Sequence, residues 1–185
     1  LREFVDASKQ GLGFHFATAG TGSTPPFVAE LLNTKYGAKI TPVPYKSGSE
    51  GAVAVISGQV DGTSEASIVA LPHLKPGGKF KPLATTWVKR ISAYPELSTA
   101  TEQGFGELQI AHWAGIHAPT GVSPEIMDKL AAAVDAGMKS AAIQNRLKPM
   151  GIEPIGGTRA AFNEFVDAER ARLGGVVKAS GMKDD

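Results

Sequence analysis

The chain has 185 residues, 42% of them apolar and 20% charged, a globular composition with room for one ordinary α/β domain or two small lobes. Its 19 basic and 18 acidic side chains nearly cancel to a net +1, with no Lys/Arg run, so the charge makes no case for nucleic acid. It has no cysteine and no apolar run of about 18 residues, which excludes disulfides, thiolate catalysis, cysteine zinc sites and a membrane-spanning helix.

Leu1-Arg2-Glu3 opens the chain without Met or a leader-like stretch, which reads as a processed or excerpted polypeptide. The lack of cysteine suits an exported protein that needs no oxidative folding. Residues 3–9 form a predicted polar helix that ends at Gly11 and Gly13. Residues 14–17, Phe-His-Phe-Ala, alternate as a strand does. Gly20 and Gly22 then allow a sharp turn and a close backbone approach. Ser23 and Thr24 are good helix caps, and the prolines after them suit the start of a helix over 27–36, closed by Gly37. The motif offers free N–H groups at the positive end of a helix dipole, a place for a carboxylate or phosphate. A glycine-rich β–α turn that binds nothing fits the same residues.

Residues 40–45 form a second predicted strand, whose two prolines argue against a central position throughout. Ser47 to Glu50 is a capping box that opens a short helix to 56, closed at Gly58. A brief strand over 59–62 precedes a helix over 66–74, disturbed by Pro72, then a Pro76-Gly77-Gly78 turn and a strand over 80–86. Thr99 to Glu102 is a second capping box, for a one-turn helix stopped at Gly104. Residues 108–118 are the longest strand candidate, alternating through Ile110, His112, Ala114 and Ile116. Ser123-Pro124 then starts a helix with Ile126, Leu130, Val134 and Met138 on one face. Ser140 caps another, residues 152–155 are a short extended piece, and Thr158 caps a long helix carrying Phe162, Phe165, Val166, Leu173, Val176 and Val177. The alternation of β and α over the front two-thirds predicts an α/β fold: a mainly parallel sheet with helices on both faces.

Enzyme signatures are missing. Gly22-Ser23 is followed by no Lys, so there is no P-loop, and no Gly-x-Ser-x-Gly elbow occurs. His112 and His117, five apart on a predicted strand, point to opposite faces and lack a third metal ligand. His15, between two phenylalanines, reads as a core or rim histidine. Two further turns rhyme with the first: Tyr45-Lys46-Ser47-Gly48 and Asp61-Gly62-Thr63-Ser64-Glu65. In a parallel sheet all three lie at the carboxyl ends of strands, where ligands bind, and their hydroxyls and N–H groups suit a small polar anion. Tyr45 and Lys46 equally suit a solvated rim. No metal or cofactor is expected.

The order of motifs carries a resemblance. Ala19-Gly20-Thr21-Gly22-Ser23, Val43-Pro44-Tyr45-Lys46 and Ser57-Gly58-Gln59-Val60-Asp61 follow one another. Lys79 to Thr86 with Arg90, Tyr94 to Thr99 with Glu102 and Gly104, Trp113-Ala114-Gly115, and Ala118 to Pro124 complete the series. From about Leu12 onward the chain resembles the Bug or TctC-type family, the extracytoplasmic solute receptors of tripartite tricarboxylate transporters. The resemblance implies a non-catalytic periplasmic protein whose two lobes, of the type II periplasmic-binding-protein kind, close on a small carboxylate held by N–H groups, hydroxyls and water.

The resemblance further implies that residues 12–113 are the second, ligand-binding lobe and that 114–185 form a mainly helical segment returning to a first lobe, which this sequence lacks. Candidate ligand-binding residues are Gly20, Thr21, Gly22 and Ser23, with Tyr45, Lys46, Ser47 and Ser64 around them. Two departures stand out. Pro25-Pro26-Phe27 occupies a region where relatives often carry a His, and the family's Pro-Tyr-Lys-Gly is Pro-Tyr-Lys-Ser here. Expected partners are a small carboxylate, membrane transporter subunits through the family, and a second copy paired through the C-terminal helices; nucleic acid is not expected. The alternative is an isolated lobe that oligomerises without capturing solute.

Overall fold

The computed structural model describes residues 1–20, 23–74 and 77–180. Helix α1 (Arg2–Ser8) leads into β1 (Phe14–Thr18), α2 (Thr24–Tyr36), β2 (Ile40–Pro44), α3 (Gly48–Ile56) and β3 (Gly62–Thr63). A short α4 (Ser67–Ala70) runs into a 3₁₀ turn at Leu71–His73, where Pro72 disturbs it as expected. After a long irregular stretch come α5 (Pro124–Lys139), α6 (Ala141–Leu147) and α7 (Arg159–Ser180).

The sheet has the order β2-β1-β3 and is parallel throughout, Phe14 pairing with Ile40 and Ala17 with Thr63. Its proline-bearing strand, β2, lies at an edge, where a missing N–H costs nothing. Alternate side chains of β1 serve opposite faces. Phe16 packs in one cluster with Val28, Leu31 and Leu32 of α2, while Ala17 packs in another with Ala54 of α3 and Val60. Right-handed crossovers to either side of β1 require this two-faced arrangement, and it confirms the predicted α/β class.

Turn chemistry explains the well-read segments. Gly37 adopts φ 67° and ψ 25°, and its N–H and that of Ala38 satisfy the last carbonyls of α2. Ser47 Oγ accepts from Glu50 N at 3.3 Å and so opens α3. The second capping box also forms, with Glu102 N donating to Thr99 Oγ1 at 3.0 Å and Thr99 N to Glu102 Oε2 at 2.6 Å. It closes turns rather than a helix, because Gly104 at φ 86° ends it at once.

Three strand expectations are corrected. The strand predicted at 59–62 is displaced to Gly62–Thr63, because Gly58 at φ 75° still belongs to the helix exit. Residues 80–86 form no strand; Pro82 interrupts them, and only Thr85 makes a parallel bridge, to Thr99. Residues 108–118 form none either. Ile110 N donates to Thr86 O at 3.0 Å, but beyond it the segment finds no neighbouring strand among the described residues. Leu108 and Ile110 are buried in the main core, whereas Ile116 is 70% exposed. Alternation without a partner does not make a strand.

The C-terminal helix folds back on the lobe. Leu173 and Val176 of α7 pack against the cluster around α2. At its other end Phe162 and Phe165 sit edge-on to Trp113, and the Phe162 ring lies directly over Gly115, where any Cβ would meet it.

Candidate functional site

The three β–α turns singled out in the sequence emerge from one edge of the sheet. The pairs Thr18↔Pro44 and Ala17↔Thr63 place the ends of β1, β2 and β3 side by side. From β1 the chain moves outward to β2, then crosses back over β1 to β3. A crevice therefore opens between the turns after β1 and β3, the switch point of a doubly wound sheet.

At the β1–α2 turn, Gly20 takes φ 88°, a left-handed conformation that favours glycine. Thr21 and Gly22 lie outside the described residues. Ser23 is the N-cap of α2, but its hydroxyl does not cap; it donates to Gly20 O at 2.6 Å, and Ser23 N donates to the same carbonyl at 3.3 Å. The buried Pro25 and Pro26 shape the first turn but carry no N–H. Among the described residues, Pro25 and Pro26 remove two of the donors expected here, while Thr24 N–H has no partner and stays available. The prolines that start the helix well thus also take two N–H groups from its first turn.

At the β2–α3 turn, Tyr45 N extends the ladder to Thr18 O at 2.8 Å. The Tyr45 ring packs against Ala17, Ala54 and Val60 and lines a small open groove with Ser49, Val53 and Gln59, away from the β1–β3 crevice. Lys46 is exposed; its backbone N–H donates to Glu50 Oε2 at 3.2 Å, and its ammonium makes no ion pair among the described residues. The Ser47 hydroxyl is committed to Glu50 N. The polar groups of Lys46 and Ser47 thus build the start of α3.

At the β3–α4 turn, Ser64 is half-buried and lines a cavity of about 1410 Å³ between the lobe and the C-terminal helices. His112 lines it too, hydrogen-bonded to the Ser64 backbone; burial against this turn lowers its pKa, and the bond opposes that shift. Gly20, Ser23, Tyr45, Lys46 and Ser47 stand outside this cavity. Among the described residues, Ser64 is the one candidate of the sequence reading that lines it.

Glu65 was not among the candidates, yet it follows Ser64 in the β3–α4 turn and lines the same cavity. Thr63 Oγ1 lies 2.9 Å from Glu65 Oε1 and 3.1 Å from Ala17 O. The other carboxyl oxygen rests against Gly48 at the first turn of α3, where an added Cβ would overlap it. Burial raises the Glu65 pKa, and the Thr63 hydroxyl opposes the rise. Among the described residues no Lys, Arg or His pairs with it, and no group of three His, Asp or Glu could hold a metal ion. Its position two residues past Thr63, at a strand's carboxyl end, was the sequence signal available.

The TctC family model, described as the tripartite tricarboxylate transporter family receptor, matches residues 1–182. Among curated relatives, Protein BugT of Bordetella pertussis is 28% identical over 168 residues, covering 91% of this chain and 51% of its own length. A protein of Agrobacterium vitis from the TAR-I ttuE-ttuC' intergenic region is 28% identical over 169 residues, covering 90% of this chain and 49% of its own. Among solved structures, an R. palustris protein with adipate superposes with TM-score 0.86 at 27% identity, covering 100% of this chain and 62% of that one. MatC from Rhodopseudomonas palustris with bound malate gives TM-score 0.78 at 27% identity, covering 96% of this chain and 61% of that one. The chain thus spans about half the length of these curated relatives.

Proposed function

The chain belongs to the tripartite tricarboxylate transporter receptor family, and on that premise we propose that it forms the carboxylate-binding lobe of a periplasmic solute receptor that feeds such a transporter. The observation that supports the reading is that three polar turns leave the carboxyl edge of one parallel sheet. In this reading a ligand carboxylate takes the Thr24 N–H and the positive end of α2, with Thr21 and Gly22 beside it. Tyr45, Lys46 and Ser47 frame the neighbouring turn. Residues 12–113 act as the binding lobe, and 114–185 as the segment that meets a further lobe.

Two structural relatives solved with adipate and with malate support a carboxylate ligand here. A non-catalytic role is supported by Ser23, whose hydroxyl proton already points to the Gly20 carbonyl rather than to a general base. A thermal-shift series with mono-, di- and tricarboxylates tests the reading. A rise in Tm that grows with concentration for at least one of them supports it, and no rise with any sinks it. Assays for esterase, phosphatase and decarboxylase activity should find none that Ser23→Ala abolishes.

A second reading, a lobe that pairs with another copy through its C-terminal helices, draws support from open apolar side chains. Ile126 and Leu130 of α5 are 52% and 47% exposed, and Ile155 is 70% exposed. Light scattering separates the two: a monomer removes the pairing.

A further inference from the structure

The crevice has an acidic wall that the family's neutral style of recognition does not call for. Pairing of Ala17 with Thr63 brings the loop after β3, which carries Glu65, out beside the β1–α2 turn. Its carboxyl group is held in place. Thr63 bonds one oxygen at 2.9 Å, and the other rests on Gly48, a position where only a residue without a side chain leaves room. Gly51 lies beneath, its would-be Cβ 3.5 Å from Glu65 Oε1, so α3 approaches this carboxyl along a glycine face. Glu65 also lines the large cavity beside Ser64 and His112.

Among the described residues nothing cationic balances this group. Its neighbours on β1, β3 and α3 are Ala17, Thr63, Gly48 and Gly51, all neutral, and it has no ion pair among the described residues. The first turn of α3 offers a partial positive charge only. A half-buried carboxylate without a counter-charge is unfavourable, and a second carboxylate brought into the same crevice makes it more so. An ammonium placed there relieves both costs through a charge-assisted hydrogen bond.

We propose that Glu65 is a specificity-determining residue of this site, and that it selects carboxylates bearing an ammonium group over dicarboxylates of the same length. The inference rests on the carboxylate-receptor reading and deepens it. The ligand's carboxylate lies at the α2 turn, and its ammonium end lies toward Glu65. The ligand class is then a zwitterionic amino carboxylate.

The test titrates the full chain, at about pH 8 where the free ligand amine is still protonated, with isosteric pairs followed by amide NMR. The pairs are 3-aminopropanoate with succinate, 4-aminobutyrate with glutarate, and 5-aminopentanoate with adipate. For at least one length the amino carboxylate should bind about tenfold tighter than the dicarboxylate, the scale of one charged hydrogen bond. Glu65→Gln, nearly the same in shape, should erase that preference, and Glu65→Asp should retain part of it. Dicarboxylates binding as tightly as their partners in the unmodified chain, or a preference that survives Glu65→Gln, overturns this inference alone. Binding of neither member of any pair overturns the receptor reading, and this inference with it.

Discussion

Gly51 gives a sharp test of how α3 sits on the sheet. A Cβ added there would lie 3.1 Å from the Cβ of Ala17, which is fully buried near the carboxyl end of β1, and 3.5 Å from Glu65 Oε1. Ordinary contacts of this kind begin near 3.4 Å, so α3 must lift or β1 must yield. Replacing glycine inside a helix by alanine contributes about 1 kcal/mol of propensity, while overpacking a tight contact costs about 1–3 kcal/mol. Gly51→Ala should therefore destabilise by about 1 kcal/mol net. Gly174, in α7, makes the same chemical change in open space, since its added Cβ meets nothing within 4 Å. Gly174→Ala should accordingly stabilise by about 1 kcal/mol. Urea unfolding followed by circular dichroism, with slopes checked for equality, measures both. The two variants should move the midpoint in opposite directions. A Gly51→Ala midpoint raised as much as that of Gly174→Ala would refute the close seating of α3 on β1, and with it the held position of Glu65.

Two further expectations concern pH. Burial holds the Glu65 carboxyl above its ordinary 4.5, so the folded state keeps this proton longer than the unfolded chain does. Its contribution is fully present below pH 4.5 and is lost as pH rises through the folded value. Glu65→Gln and the unmodified chain should thus diverge in stability across that window, the variant gaining at higher pH; parallel pH–stability curves contradict this. Glu102 behaves in the opposite sense. Arg90 first, then the Thr99 N–H, hold its carboxyl below 4.5. Its contribution is present above pH 4.5 and is lost as pH falls through the lowered value, so Glu102→Gln should flatten the acid limb of an unfolding titration.

The elements up to residue 56 were legible because their signals are local. Gly37 needs only its own φ to close α2, and Ser47 reaches Glu50 three residues on. The two prolines of β2 forecast an edge, which is where the strand lies. The strands expected over 80–86 and 108–118 failed for a nonlocal reason. Alternation at Leu108, Ile110 and His112 is real, but a strand exists only beside another, and past Ile110 no neighbouring strand is described.

The turns that carry the candidate residues are legible in the sequence, and the bonds their polar groups make are not. Gly20 and Ser23 lie where the β1–α2 motif puts them, yet Pro25 and Pro26 were counted as helix starters and not as two missing donors. Ser47 was offered to a ligand while its oxygen caps α3. Glu65 carries no local signal of its setting, because that setting depends on Gly48, which arrives from another turn. His112 depends in the same way on Ser64, from a distant part of the chain.

The most direct measurement of the central claim is an amide NMR titration of the full chain with the six ligands named above, mapped residue by residue. The account predicts saturable shifts at Gly20, Ser23, Thr24 and Ser64. It also predicts a Kd weaker than about 1 mM, since one open edge offers few donors in competition with water. Shifts that never saturate, or that cluster on the exposed helices while the β1–α2 and β3–α4 turns stay still, would contradict a carboxylate site at the sheet's edge.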